Sequence, residues 1–230
     1  MTKKLKKVGS YVGITGFTSR AEVVRAIATI PQGSDRRLMI GVLMDSETLA
    51  GQTNKWPECY PKKENVRNIF VGDPRVLNLV HYNTDHPETL CGQLMEATEV
   101  AGPNLDGFQL NAWPLIPDLE DYWELHPNKF LSLRIGSKAL AQVESMKRFR
   151  EFIGAYLPMI DTVLIDPNDN DNEGKTLRPA KGAEYLRVVR DYPTLGLGIA
   201  GILNPNMLHL LEPLIQEFPD LSIDARVNAE

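Results

Sequence analysis

The chain has 230 residues, 43% hydrophobic and 24% charged, with a formal net charge of -5. That composition excludes a disordered or fibrous protein and suits a single domain spanning 1–230. The acidic balance speaks against nucleic acid as a partner, since such binding needs a basic face, and no apolar run approaches membrane-spanning length.

Strand-like apolar runs alternate with segments of helical periodicity. Tyr11 to Thr15 reads as the first strand. Ser19 then offers an N-cap, with Glu22 three residues on to complete a capping box. Leu38 to Met44 is the second strand, followed by a long connection from Asp45 through Lys63 that has the length of a functional lid. A short helix is expected over Asn65 to Phe70. Strands three to five are Val76 to Tyr82, Leu105 to Leu110 and Phe130 to Ile135. The helices between and after them are Pro87 to Ala101, Asp118 to Leu125 and Ala139 to Tyr156. The sixth strand runs into Asp166, and Ala180 to Asp191 is its helix. Leu195 to Ala200 is the seventh strand; Asn204 caps the next helix with Pro205 at its first position. Leu221 to Ala225 is the eighth.

Eight strands with intervening helices predict an α/β protein of the TIM barrel type, a (β/α)8 barrel, rather than an open doubly wound sheet. The eighth helix is missing or reduced, because only Arg226 to Glu230 remain. Its absence would expose an apolar patch on the barrel wall, to be hidden by a homodimer contact or a rearranged loop.

Alternate residues of a strand face opposite sides. Gln109 and Asn111, Ser132 and Arg134, and Ser222, Asp224 and Arg226 place polar groups on one parity. Phe108 and Leu110, Leu131 and Leu133, and Leu221 and Ile223 make the other parity apolar. The polar parity therefore looks into the barrel and the apolar one packs on helices. Asp166, Asp45, His81 and Thr15 end strands at the rim where barrel enzymes gather catalytic groups. Two accounts stay open for this set. The residues form a functional site, or Arg134 simply pairs with Asp166 or Asp224 in a buried structural ion pair. His81 reads more readily as a hydrogen-bonded histidine than as a ligand or base.

In order along the chain, several motifs resemble phosphoribosylanthranilate isomerase of tryptophan biosynthesis. Val12-Gly13-Ile14-Thr15 is similar to that family's first-strand Cys-Gly-Ile-Thr, and Gly107-Phe108-Gln109-Leu110-Asn111 to its fourth-strand Val-Gln-Leu-His. Leu164-Ile165-Asp166 through Gly174-Lys175-Thr176 resembles its sixth strand and loop, and Ile199-Ala200-Gly201-Ile202-Leu203-Asn204-Pro205 its Leu-Ala-Gly-Gly-Leu-Asn-Pro. The resemblance implies an Amadori-type aldose–ketose isomerisation, with Asp166 as the acid. The family's basic cysteine corresponds to Val12, which cannot accept a proton. Asp45 or Asp224 is then the candidate replacement base, and Val12→Cys is expected to raise activity. Cys59 would supply a thiol only if the long second loop folds inward. The phosphate site is altered too. Gly201 remains, but the second glycine is Ile202, and Ala225-Arg226 stands where a Ser-Gly turn is expected. Arg134, Gln109, Asn111, Gly201 and Arg226 are the candidate substrate-binding residues, with Arg226 able to grip an oxyanion or to pair with Asp224.

Other signals count for less. Asp169, Asp171 and Glu173 superficially suggest a calcium loop, yet the twelfth position is Ala180, and a polar lid over Asp166 fits better. Gly174-Lys175-Thr176 lacks the earlier glycine of a nucleotide-binding loop. Lys3 to Lys7 read as a solvated tail without the apolar stretch of a signal peptide, and Cys59 and Cys91 lack metal-ligand spacing and make no disulfide framework. A cytoplasmic protein with free thiols, no metal and no organic cofactor is expected. Its partner would be a small anionic or phosphorylated metabolite, with no membrane partner. Two further readings stay in view: a catalytically inactive barrel serving in binding or assembly, and a metal-dependent lyase or aldolase using Asp45, Asp166 and Asp224.

Overall fold

The computed structural model describes residues 9–111, 116–136, 139–140, 145–167, 169–171, 174–176, 178–201, 203 and 205–226, with backbone alone for 169–171, 174–176 and 226. Eight parallel strands close into a barrel: β1 (Tyr11–Thr15), β2 (Arg37–Met44), β3 (Val76–Tyr82), β4 (Gly107–Leu110), β5 (Phe130–Ile135), β6 (Thr162–Ile165), β9 (Gly196–Ala200) and β10 (Ser222–Arg226). Each pairs with the next of these eight along the chain, β6 with β9, and β1 pairs with β10 to seal the cylinder, Gly13 opposite Asp224 and Thr15 opposite Arg226. The TIM barrel expected from the sequence is the fold observed.

Two hydrophobic clusters hold it. The larger lies outside the strands, where Phe108, Leu131, Leu133, Val163 and Ile165 pack with helix residues such as Leu94, Tyr122 and Phe149. The smaller, Tyr11, Met39, Leu77, Leu79 and Phe130, plugs the barrel interior. Apolar side chains on both faces are what a parallel barrel sheet requires.

The helices follow local chemistry. In α1 (Arg20–Ala28) the Ser19 side chain accepts from Glu22 N, and Glu22 reaches back to the Ser19 N–H at 3.0 Å, the capping box the sequence announces. The others are α2 (Ser46–Leu49), α3 (Lys63–Ile69), α4 (Leu90–Ala101), α5 (Ile116–Leu125), α6 (Met146–Tyr156), α7 (Pro179–Arg190) and α8 (Glu212–Glu217). The expected long helix over 139–156 differs: Ser145 caps α6, which starts at Met146, and 141–144 lie outside the described residues. Pro205–Leu211 winds as a tighter 3-10 segment before α8, and Asn204 also lies outside the described residues.

No helix follows β10 among the described residues. The outer wall at the closing seam is partly open among the described residues. Val12 is 42% exposed, and Ile14, Ile223 and Ala225 are only partly buried. No helix among the described residues is long and apolar enough to cross a membrane.

Candidate active site in the barrel mouth

Strand alternation aims Gly13, Thr15, His81, Gln109, Arg134 and Asp224 into the barrel, while Val12 and Ile14 face outward. Glycine at 13 and 41 makes room. A Cβ on Gly13 would stand 2.6 Å from Met39 Cε and 2.9 Å from Asp224 Oδ1, and one on Gly41 would stand 2.9 Å from Thr15 Cα. Both close approaches permit the β1 and β10 polar side chains to meet.

The inward groups form one connected hydrogen-bonded array. Thr15 Oγ1 donates to Asp224 Oδ1 at 3.1 Å, and Gln109 Nε2 donates to Asp224 Oδ2 at 2.8 Å. His81 Nδ1 lies 3.4 Å from Thr15 Oγ1 and 3.2 Å from Gln109 Nε2. On its other side His81 Nε2 contacts Asn111 Oδ1 closely. Arg134 Nη1 donates to the same Asn111 oxygen at 3.4 Å, and Arg134 Nη2 pairs with Asp166 Oδ2. The array thus runs from Asp224 through Thr15 and Gln109 to His81, then Asn111, Arg134 and Asp166.

Its two carboxylates live in different surroundings. Asp166 is buried but faces a guanidinium, which stabilises negative charge. Among the described residues Asp224 receives only the neutral donors Thr15 and Gln109, and it is 4% exposed. Burial is the largest influence on its carboxyl, pushing the pKa from 3.8 up to about 6 against the opposing pull of Gln109, Thr15 and Arg134; Asp166 nearby adds to the rise. Beneath Asp224 the Tyr11 hydroxyl is likewise pushed up, by burial and then by the Asp224 charge. Gln109 Oε1 is buried without a hydrogen-bond partner among the described residues.

Of the sequence-selected residues, the structure brings together Asp166, Asp224, Arg134, Gln109 and Asn111, and it joins to them His81 and Thr15, which the sequence places at the rim without a role. Asp45 is elsewhere engaged. It caps α2, accepting from Thr48 N at 2.8 Å and Thr48 Oγ1 at 2.9 Å, while its second oxygen takes Asn54 Nδ2 at 2.5 Å. Its carboxylate thereby holds the start of the long 45–63 connection, and no hydrogen bond among the described residues joins it to the array of Asp166 and Asp224. Val12 lies apart from the array as well. It points away from the barrel, so the position that the resemblance assigns to a catalytic cysteine does not face the mouth. Gly201 follows β9 directly, and its carbonyl accepts from Leu203 N at 2.9 Å. Of Arg226 only the backbone is described, at the end of β10. The segment after Asp166 and Pro167 forms an antiparallel hairpin, β7 (Asp169–Asp171) with β8 (Gly174–Thr176), rather than an irregular loop. Among the described residues no three His, Cys, Asp or Glu side chains gather as a metal site would need.

The weight of His81 is hard to read from sequence, because the residues of its own parity before it, Leu77 and Leu79, are apolar and the strand's other polar residue, Asn78, lies on the opposite parity. The available signal was register: His81 shares inward parity with Leu77 and Leu79, and Gln109 sits opposite it on β4.

No protein-family model matches the sequence, and no curated protein matches it. Solved structures do. The chain is 10% identical to the carboxyl transferase domain of Rhizobium etli pyruvate carboxylase, solved with pyruvate and biocytin, at a TM-score of 0.62; the match covers 97% of this chain and 41% of that one. Phosphonopyruvate hydrolase matches at 12% identity and a TM-score of 0.56 over 95% of this chain and 75% of that one. PhdJ, solved with a bound substrate intermediate, matches at 15% identity and a TM-score of 0.55 over 98% of this chain and 68% of that one. At such identities the likeness establishes the barrel fold and nothing finer.

Proposed function

We propose that this barrel is a phosphoribosylanthranilate isomerase-like enzyme, moving a proton within a small phosphorylated, sugar-like metabolite by acid–base catalysis. One observation carries the reading: Asp166 and Asp224 belong to a single hydrogen-bonded array at the mouth, yet their environments differ. Paired carboxyls held apart in this way are how one site supplies an acid and a base together. The environments favour the reverse of the roles that the sequence resemblance implies. Asp166, beside Arg134, is the proton acceptor. Asp224, for which burial favours the neutral form, is the donor. In an Amadori rearrangement Asp224 would protonate the ring oxygen and Asp166 would take the proton from C2. Arg134, Gln109 and Asn111 would orient the sugar. Gly201, just after β9, and Arg226, at the end of the adjacent β10, would meet the phosphate. That solved neighbours include a phosphonopyruvate hydrolase supports small-metabolite chemistry in this fold.

The test is turnover of phosphoribosylanthranilate, followed by fluorescence, and of ribose 5-phosphate, in the wild type and in Asp166→Asn and Asp224→Asn. Each variant should lose roughly a hundredfold or more in kcat. Equal turnover by wild type and both variants would remove the assignment.

A second reading, a barrel that binds or assembles without catalysis, is favoured by one observation. The Arg134 guanidinium is already engaged by Asp166 and Asn111 rather than open to an anion. Absence of turnover, together with a rise in melting temperature on adding ribose 5-phosphate, would support it.

A further inference from the structure

We propose that Asp224 and His81 share one proton through the hydroxyl of Thr15, which makes Thr15 and His81 relay residues that keep the buried acid supplied. The inference rests on the proposed donor role of Asp224 and extends it to groups that touch no substrate.

The argument begins at Asn111. A guanidinium only donates, so the Asn111 atom facing Arg134 Nη1 is the carbonyl oxygen. His81 Nε2 contacts that same oxygen, and an acceptor there requires Nε2 to carry hydrogen. In the neutral ring the lone pair is therefore on Nδ1, which faces Thr15 Oγ1 at 3.4 Å and Gln109 Nε2 at 3.2 Å. Thr15 Oγ1 in turn lies 3.1 Å from Asp224 Oδ1. A hydroxyl is both donor and acceptor, so this line supports two arrangements. In one, Asp224 is a carboxylic acid donating to Thr15, and Thr15 donates to His81 Nδ1. In the other, the Asp224 proton has passed to Thr15 Oγ1 as the Thr15 proton passed to Nδ1. One O–H bond breaks at Asp224 and one N–H bond forms at His81. Aspartate and imidazolium result, and Nε2–H still donates to Asn111 in both.

Burial supplies the reason for such a path. Asp224 is 4% exposed and Gln109 fully buried, whereas Asn111 and Arg134 are partly open at the mouth. Register places Thr15 at the level of Arg226, two residues nearer the mouth than Asp224. The line through Thr15 and His81 thus leads outward from the buried acid. Among the described residues the charges of Arg134 and Asp166 also act on Asp224, and the Tyr11 hydroxyl beneath it feels the Asp224 charge.

The experiment is nitrogen-detected NMR of the His81 imidazole against pH in the intact wild type, Thr15→Val and Thr15→Ser. In the wild type the neutral ring should carry hydrogen on Nε2 and gain its second proton at Nδ1. The midpoint should fall by about half a pH unit or more in Thr15→Val, which removes the hydroxyl that receives Nδ1–H, and return in Thr15→Ser. With phosphoribosylanthranilate as the probe, Thr15→Val should lower kcat about tenfold at unchanged KM, with Thr15→Ser restoring it. A neutral ring protonated at Nδ1 in the wild type overturns the relay even if Thr15→Val fails to fold. A Thr15→Val midpoint equal to the wild type also overturns it. The NMR readout needs no turnover, so an inactive protein with the expected titration would sink the enzymatic reading and leave the shared proton standing.

Discussion

Thr15 and Asp224 stand 209 residues apart in sequence and meet at 3.1 Å inside the barrel, where β1 closes on β10. The contact exists because the parallel register sets Gly13 opposite Asp224 and leaves no side chain between them. Closing the fold and assembling the mouth are therefore one event.

Asp224 gives the protein a pH signature. Its carboxyl titrates near 3.8 when unfolded and about 6 when folded. Between those values the folded state holds a proton that the unfolded state has released. Stability therefore declines as pH rises through that window and stays lowered above it, by on the order of 3 kcal/mol. Asp224→Asn should remove this decline. Denaturant melts should find the variant more stable than wild type at pH 7, with the advantage gone at pH 4.

Arg134 has the opposite effect when removed. Arg134→Met removes the guanidinium that faces the Asp166 carboxylate, a side chain only 9% exposed. Complete burial would make the loss 3–5 kcal/mol, but the Arg134 side chain is 30% exposed, so a cost of about 1–3 kcal/mol is expected by urea denaturation.

Gly13→Ala tests the packing that admits Asp224. The added methyl would meet Met39 and the Asp224 carboxyl. A destabilisation of about 1–3 kcal/mol is expected, with the array around Asp224 displaced and turnover lost. Thermal melting and a crystal structure of the variant would check both.

Val12→Cys should do nothing for activity, contrary to the sequence-based expectation. The side chain lies on the outer wall and is 42% exposed, so stability should change by less than about 0.5 kcal/mol. A fluorescence assay showing a gain would mean that β1 is shifted by one residue.

Ser19→Ala should cost about 1 kcal/mol through loss of the α1 cap, with turnover untouched.

The barrel was legible because its signals are periodic and local. Tyr11–Thr15, Val76–Tyr82 and Phe130–Ile135 were bounded correctly by apolar runs, and Ser19 with Glu22 announced a helix start. The inward parity of Gln109, Arg134 and Asp224 followed from alternation alone. What stayed hidden depends on three-dimensional partners. Asp45 ends a strand like Asp166 does, yet Thr48 and Asn54 divert it into a cap. Gly13-Ile14-Thr15 matched a motif letter by letter while the parity of Val12 before them pointed outward, because a motif carries no direction. His81 gained importance only from Asn111 and Thr15, which are 30 and 66 residues away in sequence.

The most direct measurement is carbon-detected NMR titration of the Asp224 carboxyl, assigned by comparison with Asp224→Asn. A midpoint of about 6 is expected for a buried acid poised to donate. A midpoint at or below the ordinary 3.8 would leave it an ionised structural group and contradict the account.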